Sequence, residues 1–150
     1  MQNIGKMELE LTLTDGLNYA AATAITIVIA DIYISGYEGG SLNKSVAKYW
    51  KNGIPFSLTD GTNSAAANNI AVAGNDVYVV GYEHNSIRYP VAKYWKNRTA
   101  YSLADGTTWS NALSISIDGS DVYISGSEHT LTGNAVAKYM YDHIRFNKGG

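Results

Sequence analysis

The chain repeats itself with a fixed period. Val91-Ala92-Lys93-Tyr94-Trp95-Lys96-Asn97 stands again as Val46-Ala47-Lys48-Tyr49-Trp50-Lys51-Asn52, and in worn form as Val136-Ala137-Lys138-Tyr139-Met140-Tyr141-Asp142. The copies are 45 residues apart with no slippage. A period of that size means one small structural unit used several times, each unit unable to bury its apolar face alone. Other words keep step. Asp15-Gly16, Asp60-Gly61 and Asp105-Gly106 form one set. Asp31-Ile32-Tyr33-Ile34-Ser35-Gly36 matches Asp76-Val77-Tyr78-Val79-Val80-Gly81 and Asp121-Val122-Tyr123-Ile124-Ser125-Gly126, and Glu38, Glu83 and Glu128 each follow two residues later. Units of approximately 12–56, 57–101 and 102–146 take up nearly all of the 150 residues, so the chain reads as a single domain without a linker.

Composition narrows the function classes. No cysteine is present, which excludes disulfides, thiolate metal sites and a cysteine nucleophile. The net charge is −2 and the basic residues form no run, so neither nucleic acid nor an anionic membrane is an expected partner. The first eight residues lack the apolar run of a signal peptide. The most apolar stretch, Ala20 to Ile34, is broken by Thr23, Thr26 and Asp31, too short and interrupted for a membrane span. The chain reads as soluble, with its compartment open.

Each period reads as four short strands. In the middle copy, Asn69 to Ala73 alternates, Gly74-Asn75 is a turn word, and Val77 to Val80 is β-branched and aromatic. His84 to Ser86 reads as polar loop, and Val91 to Trp95 alternates again. Asn52-Gly53 is a strong two-residue hairpin signal, because both residues tolerate positive φ, and Phe56 to Leu58 then forms a fourth strand. No stretch sustains a helical period, so the alanines at 20–22 and 65–67 read as small residues before a first strand. Four strands in such a period is the arithmetic of a β-propeller blade. The expected fold class is therefore all-β, a β-propeller of four-stranded blades.

The run Gly74-Asn75-Asp76-Val77-Tyr78-Val79-Val80-Gly81 resembles the core word of bacterial β-propeller repeat families, and the near identity of the copies resembles propellers amplified from one blade. The first copy departs with Ile29-Ala30, and the third with Gly119-Ser120. The word implies a fold and says almost nothing of activity. Three blades cannot close a ring, since closed propellers have roughly four at the least. Left open, they would expose two apolar faces. Association is the physical way out, so a homodimer completing one six-bladed ring is expected. Leu9 to Leu13 and Ile144 to Phe146 fall in the fourth-strand phase, as though one chain's start could complete the other's last blade.

The candidate ligand-binding residues follow from that geometry. Asp15, Asp60 and Asp105 sit in the loops from fourth to first strand, and Glu38, Glu83 and Glu128 are read into the loops from second to third. On a propeller both loop classes share one face, so the acids would rim the tunnel and suit a cation or a basic partner. Against this, Asp before Gly is ordinary turn chemistry. Trp50 and Trp95 carry a sugar-binding reading through their aromatic faces, weighed against packing between blades. His84 and His129 hold equivalent positions, read as solvated loop histidines too far apart to share a metal. Asn43-Lys44-Ser45 and Asn97-Arg98-Thr99 match the glycosylation triplet without a context that gives it meaning. No nucleophile elbow and no phosphate loop is present. Catalysis needs unlike residues converging on one point, and this chain offers like residues spread round a circle. The expectation is a non-enzymatic binding or scaffold module, with no catalytic residue, metal or cofactor, and a protein or carbohydrate ligand at the loop face or tunnel mouth. The alternatives are an assembly-only product of repeat amplification and, behind it, a tunnel-site lyase or hydrolase.

Overall fold

The computed structural model describes residues 13, 19–28, 31–40 and 43–143. Among these, the regular structure is eleven β-strands with no α-helix. Strands β1 (Ala20–Val28), β2 (Asp31–Gly39), β3 (Ser45–Lys51) and β4 (Ile54–Ser57) form one antiparallel sheet in chain order. Strands β5 (Ala65–Ala73), β6 (Asp76–His84), β7 (Pro90–Lys96) and β8 (Thr99–Ser102) form the second in the same way. The third holds β9 (Ser110–Asp118), β10 (Asp121–His129) and β11 (Ala135–His143), three strands among the described residues. The terminal segments expected to supply a fourth strand, Leu9 to Leu13 and Ile144 to Phe146, lie outside the described residues apart from Leu13.

The turns follow the hairpin words. Asn52 and Gly53 take φ of 51° and 83° between β3 and β4, and Asn97 and Arg98 take 48° and 73° between β7 and β8. Both central residues at positive φ is the turn whose twist matches the strands it joins. The asparagines also tie the hairpin to the second strand. Asn52 Oδ1 accepts from Ile32 N at 2.9 Å, and Asn97 Oδ1 accepts from Val77 N at 2.9 Å.

Two expectations about strand limits change. The alanines 65–67 are the first three residues of β5, fully or almost fully buried, rather than a prelude to it. The middle strands run on through Gly36, Gly81 and Gly126, so Glu38, Glu83 and Glu128 lie in β2, β6 and β10 and not in loops. A bulge in each first strand explains why. The ladder skips Thr23 between Ala22 and Ala24, Asn68 between Ala67 and Asn69, and Leu113 between Ala112 and Ser114. The bulge drives a first-strand carbonyl against the glycine: a Cβ on Gly81 would lie 2.0 Å from Ala66 O. Glycine here marks a close approach inside the strand and does not end it.

The three sheets stack face to face. The first strand of each following sheet lies across β1, β2 and β3, or across β5, β6 and β7, of the sheet before. One core joins Tyr33, Ala47 and Tyr49 of the first sheet to Ala65, Ala67, Ile70 and Val79 of the second. The other joins Tyr78, Val80 and Tyr94 of the second to Ala112, Ile115, Val122 and Ile124 of the third. The bulge residues reach across these joints: Thr23 Oγ1 donates to Ala67 O at 2.6 Å, and Asn68 Nδ2 donates to Ala112 O at 2.7 Å. Thr26 Oγ1 adds a bond to Ile70 O at 2.8 Å.

The ends of the stack leave the same positions open. On the front of the third sheet, Tyr139 is 83% exposed, whereas its equivalents Tyr49 and Tyr94 are 7% and 9% exposed. Leu113, at the bulge position, is half exposed. On the back of the first sheet, Ile25 is 61% exposed, whereas its equivalents Ile70 and Ile115 are buried. Ile27 is exposed too, although Trp50 in β3 of that sheet is buried.

Candidate functional site

The repeated acids prove to be locally committed wherever they are described. Asp60 accepts from Thr62 N at 2.7 Å, and Asp105 accepts from Thr107 N at 2.8 Å and Thr107 Oγ1 at 2.7 Å. These bonds to the ionised form hold both carboxyls below the ordinary aspartate value. Asp15 lies outside the described residues. The glutamates pair with the lysine two residues along the facing strand. Glu38 meets Lys48, Glu83 meets Lys93 at 2.7 Å, and Glu128 meets Lys138 at 3.2 Å. Asp31 and Asp76 add pairs with Lys51 and Lys96, and bonds from Asn52 and Asn97. The acids thus close turns and cross-link strands. No group of three or more histidine and acidic side chains among the described residues converges as a metal would require.

Trp50 and Trp95 present no face to a ligand: they are 1% and 0% exposed. They pack inside the stack because each sits in the third strand on an inward position, opposite Ile34 and Val79. Tyr49 stacks on Phe56 at 4.9 Å and Tyr94 on Tyr101 at 4.7 Å, each across the β3–β4 or β7–β8 ladder. His84 and His129 are the last residues of β6 and β10, half-buried, and so lie in strands and not in loops. His84 lies 5.5 Å from the Tyr82 ring, and burial lowers its pKa. His129 lies 5.8 Å from the Trp109 ring.

The third tryptophan is the one the sequence reading passed over. Trp109 directly precedes β9 and is half exposed. Tyr89 meets it edge to face at 6.0 Å. With His129 these rings wall a cleft of about 380 Å³ between the loops of the second and third sheets, floored and rimmed by Thr107, Thr108 and Thr130. The available signal was phase. In the two earlier copies Trp109 is Ser64 and Tyr19, and Tyr89 is Lys44, so the middle copy lacks both rings and the first keeps an aromatic at the tryptophan's place alone.

Each wall of that cleft is anchored. Asn85 Oδ1 accepts from Tyr89 N at 3.0 Å, while Asn85 Nδ2 donates to Gly106 O at 2.9 Å, tying the tyrosine loop to the turn that carries Thr107. Asp105 fixes that turn. His129 N donates to Trp109 O at 2.7 Å, joining the tryptophan to β10. Asn134 N donates to Thr130 Oγ1 at 3.1 Å. Between the first and second sheets the matching place holds Lys44, whose ammonium donates to Thr62 O, and Ser64. Comparison with family models, with curated proteins and with solved structures finds no match to this chain.

Proposed function

We propose that the chain is a non-enzymatic binding or scaffold module of β-propeller type, in which two copies close a single ring of six blades. One observation carries the reading: the two ends of the stack are the two halves of a joint that the chain already makes twice within itself. The front of the third sheet bears Tyr139 where the inner joints bury Tyr49 and Tyr94. The back of the first sheet bears Ile25 where they bury Ile70 and Ile115. Laying the third sheet of one chain on the first sheet of another in the same geometry puts Ser116 Oγ opposite Ile25 O, as Thr26 Oγ1 stands to Ile70 O. It also puts Leu113 over Ala22, where Thr23 and Asn68 make their bonds inside the chain. Such a joint runs head to tail, and it closes only if the rotation per sheet brings the last face back to the first.

The local commitment of the acids supports the scaffold reading. Asp60, Asp105, Glu38, Glu83 and Glu128 each hold a local structural partner in a turn or between strands, which accounts for their repetition by the framework alone. Size-exclusion chromatography with light scattering tests the assembly. The expected mass is twice the chain's 16.2 kDa. A stable, monodisperse monomer would overturn the proposal.

A further inference from the structure

We infer that the cleft between Tyr89, Trp109 and His129 binds a neutral pyranose sugar, with the Trp109 ring as its stacking platform. The inference gives the binding module its ligand and rests on that reading. It needs only one chain, because both loops of the cleft belong to the same copy.

Four features select the ligand class. First, an indole left half exposed offers a flat apolar face rimmed by polarity. A pyranose matches it, with C–H bonds on one face and hydroxyls at its edge. Second, Thr107, Thr108 and Thr130 line the cleft. Threonine hydroxyls both donate and accept, as sugar hydroxyls do. Third, the lining carries no lysine, arginine, aspartate or glutamate, and Glu128 and Lys138 in the adjoining hollow pair with each other, which leaves a desolvated charge on the ligand without a partner. Fourth, the volume of about 380 Å³ lies in the range of small-molecule sites.

The cleft is also built in advance. Asn85, Asp105 and Asn134 hold its loops by hydrogen bonds to the main chain or to Thr130, and Trp109 is tied to β10. A wall fixed before the ligand arrives spares binding the cost of ordering it. Asp105, expected to touch a ligand itself, here acts as a positioning residue for Thr107. The matching place between the first two sheets lacks both rings. The stacking platform therefore occurs at one of the two described joints; the other shares only the Asp60 turn and the His84 N to Ser64 O bond, with Gly40 where Asn85 stands.

The test is an array of neutral oligosaccharides. It is followed by calorimetric titration with the methyl glycosides of galactose, glucose, mannose and N-acetylglucosamine, and with choline chloride as a non-sugar probe for an aromatic cage. The wild-type chain is expected to retain at least one pyranoside. Trp109→Ser, which installs the residue found at position 64, is expected to weaken it at least tenfold with thermal unfolding unchanged. Tyr89→Lys, which installs the residue at position 44, provides a second variant should the first fold poorly. Retention of no sugar would overturn the inference. So would equal binding by both variants, or binding of choline in preference to every sugar. The mass of the assembly is read separately, so failure of the ring and failure of the cleft are distinguishable.

Discussion

Replacing Tyr139 by alanine separates an assembled chain from a solitary one. Tyr139 is 83% exposed in the single chain and its inner equivalent Tyr94 is 9% exposed. Seating the third sheet on a partner would therefore remove about three quarters of a tyrosine's surface, roughly 150 Å² of the ~200 Å² such a side chain can bury. At about 25 cal/mol per Å² that is worth about 3–4 kcal/mol per joint; a ring of two chains has two such joints, so the association constant would change by a factor of about ten thousand or more. The same change at Tyr94 removes a comparable contact from the fold itself, together with its 4.7 Å stack on Tyr101. Analytical ultracentrifugation over a concentration series reads the first effect, and urea unfolding reads the second. Tyr139→Ala is expected to weaken association by about ten-thousandfold or more while leaving each chain's sheets intact by circular dichroism. Tyr94→Ala is expected to lower folding stability by about 3 kcal/mol. An association constant for Tyr139→Ala within threefold of the wild type would refute the reasoning, since the seam would then not use the face that the inner joints use.

Three further predictions concern the framework. Gly81→Ala would place a methyl 2.0 Å from Ala66 O, a backbone atom with no room to retreat, and is expected to cost about 3 kcal/mol or more in urea unfolding. Arg98→Gly relieves a non-glycine residue held at φ 73° and is expected to raise stability by up to about 1 kcal/mol; the lost 3.2 Å bond from Arg98 Nε to Ser57 O is exposed and offsets little. The pKa values of Asp31, Asp60, Asp76 and Asp105 are lowered on folding, chiefly by bonds from Lys51, Thr62 N, Asn97 and Thr107 N respectively. Their contribution is complete above the ordinary value of 3.8 and is lost as pH falls through the folded values, so the urea midpoint should drop between pH 5 and about pH 2, and Asp60→Asn with Asp105→Asn should flatten that drop.

The sheets were legible because their determinants are local. Asn52-Gly53 and Gly74-Asn75 set hairpins by their own backbone preferences, and Val77 to Val80 declares a strand by its side chains. Gly81 misled for a reason the local rule does not contain. In a strand it reads as punctuation, yet here it is required by the Ala66 carbonyl that the bulge presses against it, a contact made between strands. The glutamates were displaced into loops by that one reading. For Trp50 and Trp95 the sequence favours packing over sugar binding, since Met140 takes the place in the third copy, but it does not tell which face of the strand is covered. Trp109 gains no weight from the period, because Ser64 stands at its place in the middle copy. Its partners Tyr89 and His129 are 20 residues away on either side: the pairing of β9 with β10 sets His129 beside it, and the stacking of the second and third sheets brings Tyr89.

The hydrogen bonds from Thr23 to Ala67 O and from Asn68 to Ala112 O point the same way along the stack. A column with such a grain has unlike ends, and like ends gain nothing from meeting. How many units one gene encodes then becomes a matter of packaging. Chains cut to two units or extended to six would keep that polarity, with the trailing face set by whichever unit comes last: Asn68 and Tyr94 after two, Leu113 and Tyr139 after three.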